Sequence, residues 1–123
     1  MNHNNGFLNL VEECKPRIKE VSAAEVVAMQ QNSDAFIFID TREDREWQAG
    51  HAEGAVHMSR GTIECNIEQA IPNKDTKLVL YCGGGYRSAL AADSLQKMGY
   101  TNVHSMAGGW RDWCANNFPK AAT

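Results

Sequence analysis

Residues 77–90 read KLVLYCGGGYRSAL. Lys77 to Cys82 is an apolar run of strand length, the pattern of a strand covered on both faces. From Arg87 onward the spacing becomes helical, with Leu90, Ala91, Leu95 and Met98 on one side and Gly99 as a C-terminal stop. Three glycines and Tyr86 join the two halves. A buried strand running straight into a helix is the repeating unit of a parallel α/β sheet, and such sheets bind ligands beyond the carboxyl ends of their strands. The stretch therefore predicts a fold and, within it, the place for chemistry.

The same alternation extends in both directions. Ile18 to Val21 reads as a short extended piece. Ser22 with Glu25 forms a capping box that opens a helix to about Gln31. AFIFI (35–39) is another buried strand, and a helix from Asp44 to Ala49 stops at Gly50. AVHM (55–58) reads as a strand and Ile63 to Ala70 as a helix. VHSM (103–106) is a last strand, followed by Gly108-Gly109 and a helix carrying Trp110 and Trp113. The order predicts an α/β domain with a mainly parallel sheet and helices on both faces. Residues 1–17, with Leu8 and Val11 at helical spacing before Pro16, are read as a peripheral helical segment packed on a domain spanning 18–123.

Composition sets the outer limits. With 123 residues, 43% hydrophobic and 22% charged, the chain is one soluble globular domain able to build a core without staples. Twelve basic against fifteen acidic residues give a net charge of −3. That balance argues against a nucleic-acid or anionic-membrane surface as partner. No apolar run has transmembrane length, and MNHNNGFLNLVEECKPRIK lacks the order of a secretory signal, so a cytoplasmic location is expected. Cys14, Cys65, Cys82 and Cys114 are scattered without a CxxC pair, which favours reduced thiols. His3, His51, His57 and His104 form no metal pattern, and no metal or cofactor is expected.

At the junction itself, glycines at 83, 84 and 85 leave no Cβ atoms over the Cys82 thiol and admit a tight turn. Successive backbone N–H groups then form an anion-binding nest in front of a helix N-terminus. Ser88 adds a hydroxyl and Arg87 a guanidinium. Thiols beside helix N-termini and cations are the ones held as thiolates. Rival readings fit less well. A phosphate loop needs Gly-Lys-Ser/Thr where Tyr86-Arg87 stand. A dinucleotide fingerprint needs Gly-x-Gly-x-x-Gly and an acid about 20 residues later, where Val103 and His104 stand. An inert cysteine before a glycine turn leaves three consecutive glycines without a reason. Cysteine-based phosphatases place one more residue between cysteine and arginine than the four found here. A shorter loop makes a smaller cradle, suited to one sulfur atom rather than a phosphate ester.

Taken with its surroundings, the chain resembles the rhodanese family of single-domain sulfurtransferases. Asp40-Thr41-Arg42-Glu43, Glu46-Trp47, Gly50-His51 and Gly54-Ala55 look like the family's first signature. Cys82 to Ser88 look like its active loop, and Gly108-Gly109-Trp110 with Trp113 like its closing segment. The resemblance covers about residues 20 to 117 and implies a five-stranded, mostly parallel sheet flanked by helices. It also implies ping-pong transfer of sulfane sulfur. Cys82 takes the outer sulfur of a donor such as thiosulfate and sulfite leaves. The Cys82 persulfide then passes its sulfur to cyanide in an assay, or to a thiol or protein in a cell. On this reading Cys82 and Arg87 are catalytic. Gly83, Gly84, Gly85, Tyr86 and Ser88 hold the persulfide. Asp40 and Arg42 are mainly structural, with Arg42 adding to the electrostatics around the substrate, and Arg60 is either a contact for an anionic donor or a solvated surface arginine. Because sulfite is a stable leaving group, no general acid is required, and the loop offers no nearby histidine.

Two alternatives share parts of this pattern. A sulfur-relay or sensing module would carry the same persulfide with poor thiosulfate turnover. A small phosphatase or arsenate reductase would use the same cysteine on a tetrahedral oxyanion. Cys65 would matter as a resolving thiol if it stood near Cys82, but a buried apolar role is expected for it, as for Cys14 and Cys114. His51 is expected to make a structural hydrogen bond, and Trp110 and Trp113 to pack in the core. Where the family has an apolar residue and often proline after its histidine, Ala52-Glu53 stand, which predicts looser packing beside Asp40.

Overall fold

The computed structural model describes residues 3–122. Five strands form one parallel sheet: β1 (Lys19–Val21), β2 (Ile37–Asp40), and then, after a two-residue strand β3 (His51–Ala52) outside it, β4 (Ala55–His57), β5 (Leu78–Tyr81) and β6 (Val103–Met106). Their spatial order is β1-β6-β5-β2-β4, and every pairing is parallel. A pattern of buried strand runs separated by helices thus gives the sheet class that the sequence predicts.

The helices are α1 (Asn5–Cys14), α2 (Ala23–Gln31), α3 (Asp44–Ala49), α4 (Ile63–Ala70), α5 (Tyr86–Lys97) and α6 (Gly109–Ala115). A single 3-10 turn, Lys15–Arg17, links α1 to β1. The Ser22 hydroxyl accepts from the Glu25 amide and the Glu25 carboxylate accepts from the Ser22 amide, so the capping box opens α2 as read.

Strand side chains alternate between two cores. Leu78, Leu80 and Ile39 meet Ile63 and Ile67 of α4 and Ala91, Ala92 and Leu95 of α5. Val79, Tyr81 and Phe38 meet Ala23 and Val26 of α2 and Trp113 of α6. Helix α1 joins from outside, its Phe7, Val11 and Cys14 packing with Tyr86, Ala89 and Leu90 of α5. A feature without sequence signal is β7 (Lys120–Ala121), which pairs antiparallel with β3 through His51↔Ala121 and Ala52↔Lys120.

Strands β2 and β5 are neighbours in register, Asp40 opposite Tyr81. Their carboxyl ends therefore open onto the same edge of the sheet, where Cys82 and the Asp40–Arg42 turn lie side by side. The Thr41 amide and hydroxyl both donate to the Tyr81 carbonyl at 2.8 Å, locking the two ends together.

Candidate active site

Cys82 is 1% exposed and forms the floor of a cavity of about 670 Å³. Its Sγ accepts a hydrogen bond from the Gly85 amide at 3.1 Å, and the Ser88 hydroxyl lies 3.5 Å away. Ser88 is fully buried beneath the sulfur and shares a 2.8 Å hydrogen bond with Ser105 of β6. Gly85 has φ +97°, a conformation that side-chain-bearing residues rarely adopt, and this turns the chain into α5 directly after the amide that binds the sulfur.

The other loop peptides are set from outside. The Trp110 amide donates to the Cys82 carbonyl at 2.7 Å and the Arg111 amide to the Gly83 carbonyl at 3.0 Å. In a planar trans peptide the N–H points opposite to the C=O. Holding those two carbonyls against α6 therefore turns the amides of Gly83 and Gly84 away from it. The approach is close: a Cβ on Gly109, whose φ is +50°, would stand 2.3 Å from the Cys82 carbonyl oxygen. The Gly108-Gly109 pair and the Cys82 loop are thus halves of one device.

Arg87 is braced rather than free. Its guanidinium donates to both carboxylate oxygens of Glu46, at 2.9 and 3.3 Å. Those bonds pull the Glu46 carboxyl down to about 2 against the opposing effect of burial. The same bonds raise the Arg87 pKa. Glu46 Oε1 also accepts from the Glu43 amide, so the brace is anchored at the start of α3.

Behind the loop lies a buried ionic network. Asp40 is fully buried, and Arg42, 3% exposed, donates to both its oxygens and to the Gly50 carbonyl. The Tyr81 hydroxyl donates to Asp40 at 2.6 Å and accepts from the Ala52 amide at 3.0 Å. Burial, followed by the Asp40 carboxylate, pushes the Tyr81 phenol far above its ordinary value, so it remains a donor. For Arg42 burial is the largest single influence and acts against the charge, but the hydrogen bonds and charge of Asp40, with Tyr81 and Glu46, together outweigh it and the pKa rises. The Arg42 guanidinium also lies 4.6 Å from the centroid of the Trp110 ring.

Set against the sequence reading, Cys82, Gly83, Gly84, Tyr86 and Arg87 line one cavity, while Gly85 and Ser88 support the sulfur from behind. Arg42 and Arg60 do not line it. Arg42 is consumed by Asp40 inside the fold, and Arg60 pairs with Glu64 at 3.1 Å. Cys65 is exposed on α4 rather than buried, and it is not among the cavity residues. Ala52-Glu53 do not loosen the Asp40 segment. Ala52 is fully buried, and its amide is held by Tyr81. His51 stacks on Trp47 at 3.4 Å and its Nδ1 lies 3.3 Å from the Trp47 carbonyl, a structural placement. Trp113 is fully buried and Trp110 half-buried.

The cavity also contains residues that sequence reasoning missed. His3 and Phe7 come from the N-terminal segment, so a histidine does stand at the loop. Arg45 and Arg111 line it as well. The available signals were weak: the Phe7 to Val11 spacing on α1, and the position of Arg111 directly after Gly108-Gly109-Trp110.

A family model described as Rhodanese-like domain matches residues 22–116. The chain belongs to the rhodanese family. A tRNA uridine(34) hydroxylase from Erwinia tasmaniensis is 34% identical over 93 residues, 72% of this chain and 26% of that protein. The chain thus spans about a quarter of the length of the curated relatives it matches. A Rhodopseudomonas palustris protein of unknown function, described as a possible tyrosine phosphatase, superposes with a TM-score of 0.85 and 28% identity, covering 97% of this chain and 96% of that one. The polysulfide-sulfur transferase homodimer of Wolinella succinogenes superposes at 0.80 with 23% identity, covering 96% and 88%, and shows the shared fold. Within the rhodanese frame the five-stranded parallel sheet and its flanking helices are the expected ones. Among the described residues no helix is long and apolar enough to cross a membrane.

Proposed function

We propose that this rhodanese domain is a sulfurtransferase that carries sulfane sulfur as a persulfide on Cys82. The observation that bears most weight is the Gly85 amide donating to Cys82 Sγ at 3.1 Å at the floor of a cavity bordered by arginines. Fixed dipoles aimed at an anionic sulfur stabilise it without reorganising during reaction. In the first half-reaction the Cys82 thiolate bonds to the outer sulfur of thiosulfate or a similar donor. The donor's S–S bond breaks and sulfite leaves with the bonding pair. In the second, a thiophilic acceptor bonds to the terminal sulfur and releases the Cys82 thiolate. Cyanide serves in an assay, and a thiol or protein in a cell. Gly83, Gly84 and Gly85 present amides to the persulfide. Tyr86 borders it, Ser88 lies under the sulfur, and Arg87 keeps the loop in place while adding positive potential.

Intact mass measured after incubation with thiosulfate tests the reading. One added sulfur atom on Cys82, removed by a thiol reductant, is expected together with thiocyanate formation from cyanide. Turnover of an aryl phosphate without any gain of sulfur would favour phosphatase chemistry instead, the description attached to the Rhodopseudomonas palustris neighbour. The count of four residues between Cys82 and Arg87 speaks against that outcome. Poor thiosulfate turnover with rapid loading from a protein donor would identify a relay module with the same persulfide.

A further inference from the structure

Of the four histidines, three are tied to the backbone of the fold. His51 Nδ1 lies 3.3 Å from the Trp47 carbonyl, His57 Nε2 2.7 Å from that of Arg42, and His104 Nδ1 3.4 Å from that of Leu78. His3 differs. It precedes α1, outside the family match at 22–116, and it lines the Cys82 cavity. Its ring is placed by aromatic packing, with its centroid 4.8 Å from that of Tyr86 at an interplanar angle of 86° and 5.1 Å from that of Phe7. Such packing sets a ring in position without a hydrogen bond from it. Among the described residues no hydrogen bond or ion pair engages either ring nitrogen of His3.

The two half-reactions at Cys82 place different demands on protons. Sulfite leaves a thiosulfate donor as a stable anion. A thiol acceptor instead arrives carrying a proton: with a pKa near the ~8.5 of cysteine it is largely un-ionised at neutral pH, and the thiolate is the nucleophile. Few groups in the cavity can relieve it of that proton. Arg45, Arg87 and Arg111 bring guanidiniums, which only donate. Carboxylates are weak bases, and that of Glu46 is committed to Arg87 and held at about 2. Phenols keep their proton until well above neutral pH. Imidazole is the side-chain type that takes and returns a proton near neutrality, and His3 brings one to the cavity.

We propose that His3 is the general base of the acceptor step, which makes a protonated thiol the acceptor class of this site. The inference rests on the sulfurtransferase reading. A ring nitrogen of His3 takes the proton of the incoming thiol while the thiol sulfur bonds to the terminal sulfur of the Cys82 persulfide. The S–S bond to Cys82 breaks, and the Cys82 thiolate leaves with the bonding pair. His3 then returns the proton to the departing sulfur, and the acceptor leaves as a neutral hydropersulfide. The persulfide anion before the step and the Cys82 thiolate after it carry the same charge, and no oxidant or reductant takes part.

The test loads the full chain with sulfur from thiosulfate, removes the donor and follows single-turnover discharge of the persulfide. The acceptors are β-mercaptoethanol, a protonated alkylthiol, and sulfite, an anion that needs no base. His3→Phe keeps a ring beside Phe7 and Tyr86 and removes both nitrogens. It is expected to lower the ratio of the thiol rate to the sulfite rate at least about tenfold. With p-nitrothiophenol, an arylthiol already ionised at neutral pH, the corresponding ratio is expected to stay within about twofold of wild type, a distinction that a change of packing alone would not produce. His3→Ala is expected to lose the alkylthiol ratio as well and to regain part of it when imidazole is added. An unchanged alkylthiol ratio in His3→Phe, an equal loss with the ionised arylthiol, or no recovery with imidazole overturns the inference while leaving the sulfurtransferase reading intact. Failure of wild-type Cys82 to gain a sulfur atom, read by intact mass, overturns both.

Discussion

The Cys82 loop and the Asp40 network sit at the ends of adjacent strands, yet they are built from opposite materials. The loop is almost all main chain: glycines, one amide on the sulfur, and two carbonyls pinned to α6. The network is almost all side chain: a buried carboxylate, a buried guanidinium and a phenol, satisfied by one another and by the Gly50 carbonyl and Ala52 amide. A backbone site presents dipoles without filling the space a substrate needs. A side-chain network fills space and fixes geometry, and leaves no group free to react. Changes in the first should therefore alter chemistry more than stability, and changes in the second the reverse.

The sharpest way to break this division is at the sulfur. Cys82→Ala is expected to lower thiosulfate:cyanide transfer at least about a thousandfold, while urea unfolding shifts by no more than about 1 kcal/mol. Next comes Asp40→Ala, which strands Arg42 in the interior. It is expected to cost ~3–5 kcal/mol in urea unfolding, because a buried charge loses its partner. Activity per folded molecule should fall far less than in Cys82→Ala. Gly109→Ala probes the seam between the regions, since its Cβ would run into the Cys82 carbonyl at a positive φ. A loss of ~1–3 kcal/mol together with a clear fall in kcat is expected there.

The smallest effect is expected at Glu46→Gln. It weakens the Arg87 brace and should lower kcat/KM about tenfold through misplacement of the loop. Its pH signature has a definite sign. The Glu46 carboxyl is depressed from 4.5 to about 2 in the folded state, so its stabilisation is fully present above about pH 4.5 and is lost as pH falls through 2. The stability gap between wild type and Glu46→Gln, read by urea unfolding across that window, should close toward the acid end. For a pair about a third exposed, a gap on the order of 1–2 kcal/mol at neutral pH is expected.

The alternation of buried runs and helices was legible because burial on both faces leaves a local signature, as in LVLY at 78–81 and the Ser22 capping box. That Cys82, Gly83, Gly84 and Arg87 line one cavity was legible for a related reason: they are contiguous in the chain. That Arg42 does not line the cavity was not legible, because an arginine looks alike in sequence whether it faces solvent or a buried carboxylate. Only the Asp40-x-Arg42 spacing pointed inward. The pairing of β3 with β7 rests on main-chain bonds between two-residue strands, which demand no particular residues. His3, Phe7 and Arg111 were missed because their roles arise from α1 packing on α5 and from α6 meeting the loop, contacts between parts of the chain distant in sequence.

The grip of α6 on the Cys82 and Gly83 carbonyls also has a consequence in time. During synthesis the sulfur-bearing loop leaves the ribosome well before the residues that shape it. Only when Gly109 to Arg111 emerge and dock do those carbonyls turn outward. A chain that has made Cys82 but has not yet docked α6 therefore holds a thiol without the shaped loop around it.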